Sequence, residues 1–468
     1  MKRLLLSTAM IAIAGNAHGN PAISGRPVPA LVAFDDAMGD YMDANGIEAG
    51  VLGVMRNGVV IYLRGFGSLD PDTDTDMPEN AIVRLASCTK PITAAAIRWR
   101  IEDGAFTLGQ AAFLRNGNNG VLNVTPFPGW GDTRYGNITV RNLLQHAAGW
   151  DRNTDPLGDL MAEERRASRD MDLPGAPGRT NLLRWITGKS LWFSPGTDAR
   201  YSNEGYFALS LMVAGNFTAH MTFLHERVFT PNLWVPASEV IQARTARNLR
   251  DAREPWYRST NTALSASDPS DDAPMLDDAY GGQRTMEVRI GNGGVAASAA
   301  AMLALGNTYH INVGNTSGAG QFIGLPIDAD NPLTTSESHN GGLPGTNTIL
   351  WHRTDGIVGF AFFNKDLAGS NNYASQFRGI LDPIINGIAN NVWPTASCDG
   401  FWVRVNSAAA DGLGGYHSTW NGFGNAITKA LPNSRLRLKA GDTNWTGTIN
   451  KRLRLDAPLG QVRIGFGS

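Results

Sequence analysis

With 468 residues, the chain is long enough for a large hydrophobic core and for more than one domain. Hydrophobic residues make up 42% and charged residues 18%, with a formal net charge of -2. That balance gives no electrostatic basis for binding nucleic acid or an anionic membrane, and 54 Gly and 24 Pro predict a fold rich in turns.

The first segment reads as a targeting sequence. Lys2 and Arg3 precede the apolar run 4–14, and Ala17-His18-Gly19 offers small residues where signal peptidase reads. Residues 1–19 are therefore expected to be a signal peptide, with the remaining chain periplasmic or secreted. The run is too short for a membrane-spanning helix, and no later stretch reads as one.

Residues 31–44 carry apolar side chains at helical spacing. Two apolar runs, 50–55 and 59–66, are separated by Arg56-Asn57-Gly58; Asn and Gly both accept positive φ, which predicts a hairpin. Helices are expected over 92–101, 181–186 and 296–305, in a long middle region broken by Pro- and Gly-rich loops. Within 251–292, the acidic run Ser265-Ala266-Ser267-Asp268-Pro269-Ser270-Asp271-Asp272 reads as an exposed excursion. Runs 348–352 and 357–364 flank Thr354-Asp355-Gly356 as a second hairpin, and a helix is expected over 374–390.

After about residue 393 the helical periodicity fades. Arg435-Leu436-Arg437-Leu438-Lys439-Ala440 recurs as Arg452-Leu453-Arg454-Leu455-Asp456-Ala457, alternating Leu and Arg as strands with one buried face do. Residues 393–468 are read as a small C-terminal β-rich module, with one or two turns of a parallel β-helix as one form of it.

Three short segments carry chemistry. In Arg84-Leu85-Ala86-Ser87-Cys88-Thr89-Lys90-Pro91, Ser87 and Lys90 stand three apart at the start of a helical run, on one face. A serine hydroxyl needs a neighbour to take its proton, and a lysine with a lowered pKa can do so. A capping Ser beside a solvated Lys would give the same pair of letters. Tyr201-Ser202-Asn203 adds a phenol able to relay protons and an amide able to bind Lys90 or a substrate carbonyl; a plain turn is the alternative. His339-Asn340-Gly341-Gly342 precedes the second hairpin, where glycines let an edge strand lie against substrate and present an N–H to an oxyanion. The two cysteines, Cys88 and Cys398, are expected to be unpaired, with Cys88 packed in the core. Scattered His and the lack of a Cys pair at zinc spacing leave no metal site, and no cofactor is expected.

Together, Ser87-x-x-Lys90, Tyr201-x-Asn203 and His339-x-Gly341, in this order and at these separations, resemble the active-site motifs of the serine β-lactamase and penicillin-binding superfamily. The nearest likeness is to class C β-lactamases and their esterase and D-aminopeptidase relatives. Leu143-Leu144-Gln145-His146-Ala147-Ala148-Gly149-Trp150, Phe193-Ser194-Pro195-Gly196 and Gly293-Gly294-Val295-Ala296 are similar to the segments flanking those motifs, and the likeness spans roughly 25–392.

The resemblance implies an α+β fold: an antiparallel sheet flanked by helices, with an inserted helical region, over a catalytic domain of 20–392. It makes Ser87 the nucleophile, Lys90 its proton acceptor or relay, and Tyr201 the general base and later acid. Asn203 would orient substrate and Lys90, with His339, Gly341 and Gly342 lining the substrate strand. The N–H groups of Ser87 and Gly342 would form the oxyanion hole, and His146 would be structural. The resemblance implies hydrolysis of an ester or amide in a small-molecule or peptide substrate. A DD-peptidase or weak β-lactamase is the alternative, and a non-catalytic protein touching cell wall or saccharide through its C-terminal module is the rival. The antibiotic-resistance enzymes usually have Lys where this chain has His339. An exposed histidine titrates at about pH 6.5, which predicts that anionic substrates bind best at mildly acidic pH.

Overall fold

The computed structural model describes residues 21–233, 235–312, 323–367, 369, 372–394, 401–404, 420–430, 435–439, 441–457 and 462–464. The expected leader, 1–19, and Cys398 lie outside the described residues.

A two-residue strand β1 (Ile23–Ser24) precedes helix α1 (Val32–Asn45). The predicted hairpin follows as β2 (Ala49–Arg56) and β3 (Val59–Asp70). Its turn places Asn57 at φ 48 and Gly58 at φ 77, both in the left-handed region that these two residue types tolerate best. Strand β4 (Ile82–Arg84) leads to α2 (Thr89–Glu102), and the middle region supplies α3 (Asn203–Val213) and strand β5 (Val240–Gln242).

The expected helix 296–305 begins instead as a strand, β6 (Val295–Ser298), and only then becomes α4 (Ala299–Thr308). The reason is tertiary. β6 lies between β4 and β5, pairing Val83 with Ala297 on one side and Val240 with Ala297 on the other. Two ladders outweigh the helix preference of its alanines. Ser298 then caps α4 by accepting a hydrogen bond from Ala301 N at 3.2 Å.

The closing elements are β7 (Glu337–Leu343), β8 (Thr346–His352), β9 (Ile357–Phe363) and α5 (Tyr373–Gly387). The main sheet runs β1-β3-β2-β9-β8-β7, antiparallel throughout. It is closed by pairing β2 with β9, Val51 opposite Phe362, so the two ends of the region meet in its centre. Side chains of a pleated strand alternate between faces, and each face of β2 meets a different core. Val51 and Met55 join Ile92 and Leu303 on one side; Leu52 and Val54 join Phe34, Met38 and Phe377 on the other. A sheet covered on both faces explains why β2 and β9 read as near-continuous apolar runs.

In the tail, β10 (Phe401–Arg404), β11 (Trp420–Asn421), β12 (Arg435–Leu438) and β13 (Arg454–Asp456) pair in parallel in the order β11-β10-β12-β13. Leu436 lies opposite Leu455, two residues off the alignment of the sequence echo, which matches it with Leu453. A two-residue slip preserves which face each side chain takes, but Leu436 is buried whereas Leu455 is exposed, so the second copy does not repeat the expected buried face. Among the described residues, no single helix is long and apolar enough to cross a membrane.

A buried ion pair braces the middle region. Arg289 reaches Glu164 at 3.2 Å, and Glu164 also accepts from Thr285 N and Oγ1 at 3.0 and 2.6 Å. The Arg289 carbonyl in turn accepts from the N–H groups of Asn292, Gly293 and Gly294, shaping the turn before β6. Glu164→Ala should therefore cost about 3–5 kcal/mol, because it strands a buried guanidinium. Urea unfolding of both proteins checks this; a loss below about 1 kcal/mol would show that the pair does not brace the turn.

Candidate active site

Ser87 is delivered by a strained turn. Ala86 sits at φ 48, and residues 86–88 form a single 3₁₀ turn before α2 begins at Thr89. A non-glycine residue there costs of order 1 kcal/mol or more. The turn raises Ser87 to partial exposure while Ala86, Cys88 and Lys90 stay buried. Cys88 is unpaired and packed under the sheet, its Sγ 3.2 Å from the His339 carbonyl, and burial pushes its thiol up to about 12. An inert thiol beside the serine follows from that position.

Lys90 is fully buried in the first turn of α2. Its Nζ donates to Ser87 Oγ at 3.1 Å, Asn203 Oδ1 at 2.7 Å and the Asn292 carbonyl at 2.9 Å. Burial lowers its pKa to about 7; nearby Asp159 opposes the shift and Arg152 adds to it. Asn203 opens α3, and its Nδ2 donates to Asp159 at 2.5 Å, which fixes the amide with its oxygen toward Lys90. Glu204 is buried beside it, accepting from Leu160 N and Ser202 Oγ, both at 2.8 Å. Burial and Asp159 raise Glu204 to about 7.

Tyr201 shares a side-chain hydrogen bond with Ser87, and burial pushes its phenol above the ordinary value. Lys90 Nζ lies 4.7 Å from its ring centre. His146 packs against the same ring at 4.6 Å, and its Nδ1 accepts from Ser202 N at 3.0 Å. Burial lowers the His146 pKa well below the usual histidine value, so it is a neutral wedge that sets the position of Tyr201. This agrees with a structural reading of His146.

The third motif lies on β7, at the edge of the main sheet. His339 and Gly341 point inward, while Asn340 is exposed. Gly341 passes so close to the Ser87 turn that a Cβ would fall 2.4 Å from the Leu85 carbonyl and 2.9 Å from Ser87 N. Gly342 follows, and Asn372, at the start of α5, donates to the Gly341 carbonyl at 2.6 Å.

His339 requires a correction. The expectation of an exposed ring titrating near neutrality does not hold, because the residue is 8% exposed and burial with Lys90 nearby lowers its pKa to about 3. Its Nδ1 lies 2.7 Å from the Asn340 carbonyl. It stays neutral through the physiological range, so the predicted acid-side gain in anion binding loses its basis.

The structure thus brings Ser87, Lys90, Tyr201, Asn203, His339 and Gly341 to one place, with Gly342 next along the strand. Sequence reasoning missed Asp159, Asn292, Glu204 and Asn372. Glu204 adjoins the Tyr-x-Asn segment and could have been noticed; the others act through contacts that no local pattern announces.

A family model described as Beta-lactamase matches residues 34–380, and the chain belongs to the β-lactamase family. In fold it is similar to D-amino acid amidase from Ochrobactrum anthropi SV3 complexed with L-phenylalanine, at 16% identity and TM-score 0.51, covering 78% of this chain and 99% of that one. It is also similar to a class C beta-lactamase, at 13% identity and TM-score 0.50, covering 77% of this chain and 97% of that one. In sequence, Protein flp of Staphylococcus aureus (strain COL) is 26% identical over 160 residues, 34% of this chain and 28% of that protein. The chain spans under a third of the length of the curated relatives it matches.

Gly341→Ala should lower turnover by roughly 10²–10³, the loss typical of a disturbed oxyanion donor, with the far-UV spectrum unchanged. Turnover within about threefold of the original would show that the Ser87 turn and β7 can separate without penalty.

Proposed function

We propose that the chain is a serine hydrolase that cleaves an ester or amide bond through an acyl-enzyme on Ser87. The observation that carries this reading is the 3.1 Å contact between Ser87 Oγ and a buried Lys90 whose pKa is lowered to about 7. At neutral pH a substantial fraction of Lys90 is then unprotonated, whereas the Tyr201 phenol keeps its proton. Lys90 is the better first acceptor on this account, and Tyr201 the relay.

In the proposed reaction, Ser87 Oγ bonds to the substrate carbonyl carbon as its proton passes to Lys90. The carbonyl oxygen takes the charge and is held by the N–H groups of Ser87 and Gly342. Collapse expels the leaving group, which receives the proton through Tyr201. Water then attacks the acyl ester with the same pair acting in reverse. Asn203 orients Lys90 and the substrate, and Gly341 keeps β7 close enough to Ser87.

The neutral His339 favours an ester or amide substrate over a β-lactam whose carboxylate needs a cation at the third motif. Export through residues 1–19 and a wall- or saccharide-facing role for 393–468 belong to the same proposal. Their support is the leader composition and a tail outside the motif-bearing region.

Two experiments test the reading. A fluorophosphonate probe should label the native protein and not Ser87→Ala, and that variant should lose several orders of magnitude in turnover. Labelling or near-native turnover by Ser87→Ala would remove the central claim.

The pH dependence follows from Lys90. Its protonated form cannot accept the serine proton, so kcat/KM for a neutral ester should rise with pH, with a midpoint at about 7. Glu204 also titrates at about 7 and must be separated from it. Glu204→Gln removes a negative charge that favours protonated Lys90, so the rising limb should persist and move to lower pH. Disappearance of the limb in that variant would assign it to Glu204 instead.

A further inference from the structure

We propose that Arg152 is a specificity-determining residue that binds a negative charge on the leaving-group side of the substrate. This rests on the serine-hydrolase reading and adds a substrate class to it.

Three observations point there. Arg152 is exposed, and its guanidinium carbon lies 5.1 Å from the ring centre of Tyr201, the residue proposed to hand the proton to the leaving group. The charge therefore stands at the open side of the site, beside the half of the substrate that departs.

The guanidinium is also uncommitted. Among the described residues, Arg152 makes no ion pair, although its loop is rich in carboxylates. Each neighbouring acid is engaged elsewhere. Asp151 accepts from Asn153 N and Thr154 Oγ1, both at 2.9 Å, and faces Arg200 at 3.9 Å. Asp155 accepts from Leu157 N at 2.9 Å and Trp192 Nε1 at 3.0 Å. Asp159 accepts from Asn203 and from Met161 N, and Asp198 pairs with Arg200 at 2.8 Å. These bonds also stiffen the loop that carries the arginine, whose contact is with the face of the Tyr201 ring.

Finally, the other basic groups inside the site are poor anion receptors. His339 is buried and neutral, and the Lys90 ammonium is buried among three protein acceptors. Arg200, beside Tyr201, is exposed but paired with Asp198. Among the described residues at the site, Arg152 is therefore the cation that combines permanent charge, access and free donors, and its planar fork suits a carboxylate.

A matched pair of chromogenic esters reads this directly: 4-nitrophenyl acetate and 5-acetoxy-2-nitrobenzoate, whose leaving groups differ by one carboxylate. Removing Arg152 will change absolute rates for both, since it also sits over Tyr201, so the quantity to follow is the ratio of their kcat/KM values. In Arg152→Gln the anionic-to-neutral ratio should fall roughly tenfold, the lower end for a charged hydrogen bond at a solvent-open site. Arg152→Lys should keep most of it, and in the native enzyme the ratio should fall as salt rises.

A ratio within about twofold of native in Arg152→Gln, with Ser87 still labelled by fluorophosphonate, overturns the inference and leaves the hydrolase reading standing. If that variant fails to fold, a native ratio indifferent to salt overturns it equally. A native protein that is neither labelled nor active on either ester overturns the hydrolase reading itself.

Discussion

A buried lysine amine is the constraint on which this site depends. Taking an ammonium out of water costs several kcal/mol unless acceptors surround it, and Lys90 finds three: Ser87 Oγ, Asn203 Oδ1 and the Asn292 carbonyl. They come from the turn before α2, the start of α3 and the loop before β6, the last two 113 and 202 positions away in sequence. Enough attraction remains to hold the group in place, but not enough to restore its ordinary pKa. The same incomplete compensation leaves the amine partly unprotonated near neutral pH.

The surrounding structure maintains that balance. Asp159 orients the Asn203 amide, the Glu164–Arg289 pair shapes the turn that offers the Asn292 carbonyl, and His146 wedges Tyr201 against Ser87. On the far side, Gly341 lets β7 approach the Ser87 turn with no side chain between them. Positive charge is kept at two depths: a titratable amine inside, and the permanent guanidinium of Arg152 at the mouth. His339 is buried and neutral, so it adds no charge at either depth.

Much of the framework was legible in residue order because its signals are local. Asn57-Gly58 demands a tight turn, the apolar runs make strands, and the three-residue spacing puts Ser87 one turn from Lys90. The tail's repeated Leu–Arg alternation announced strands, although their register came out two residues away from the echo. Where the reading failed, a nonlocal partner decided. Val295–Ser298 is a strand because β4 and β5 flank it, despite its alanines.

Residue types and their order thus singled out groups that the fold gathers at one site: Ser87, Lys90, Tyr201, Asn203 and the glycines of the third motif. The protonation of those groups was beyond residue order, because a pKa reports burial and the charges within a few ångströms. Folding lowered the pKa of Lys90 and kept His339 neutral by taking both out of water. It also left Arg152 facing solvent with every nearby carboxylate already bonded.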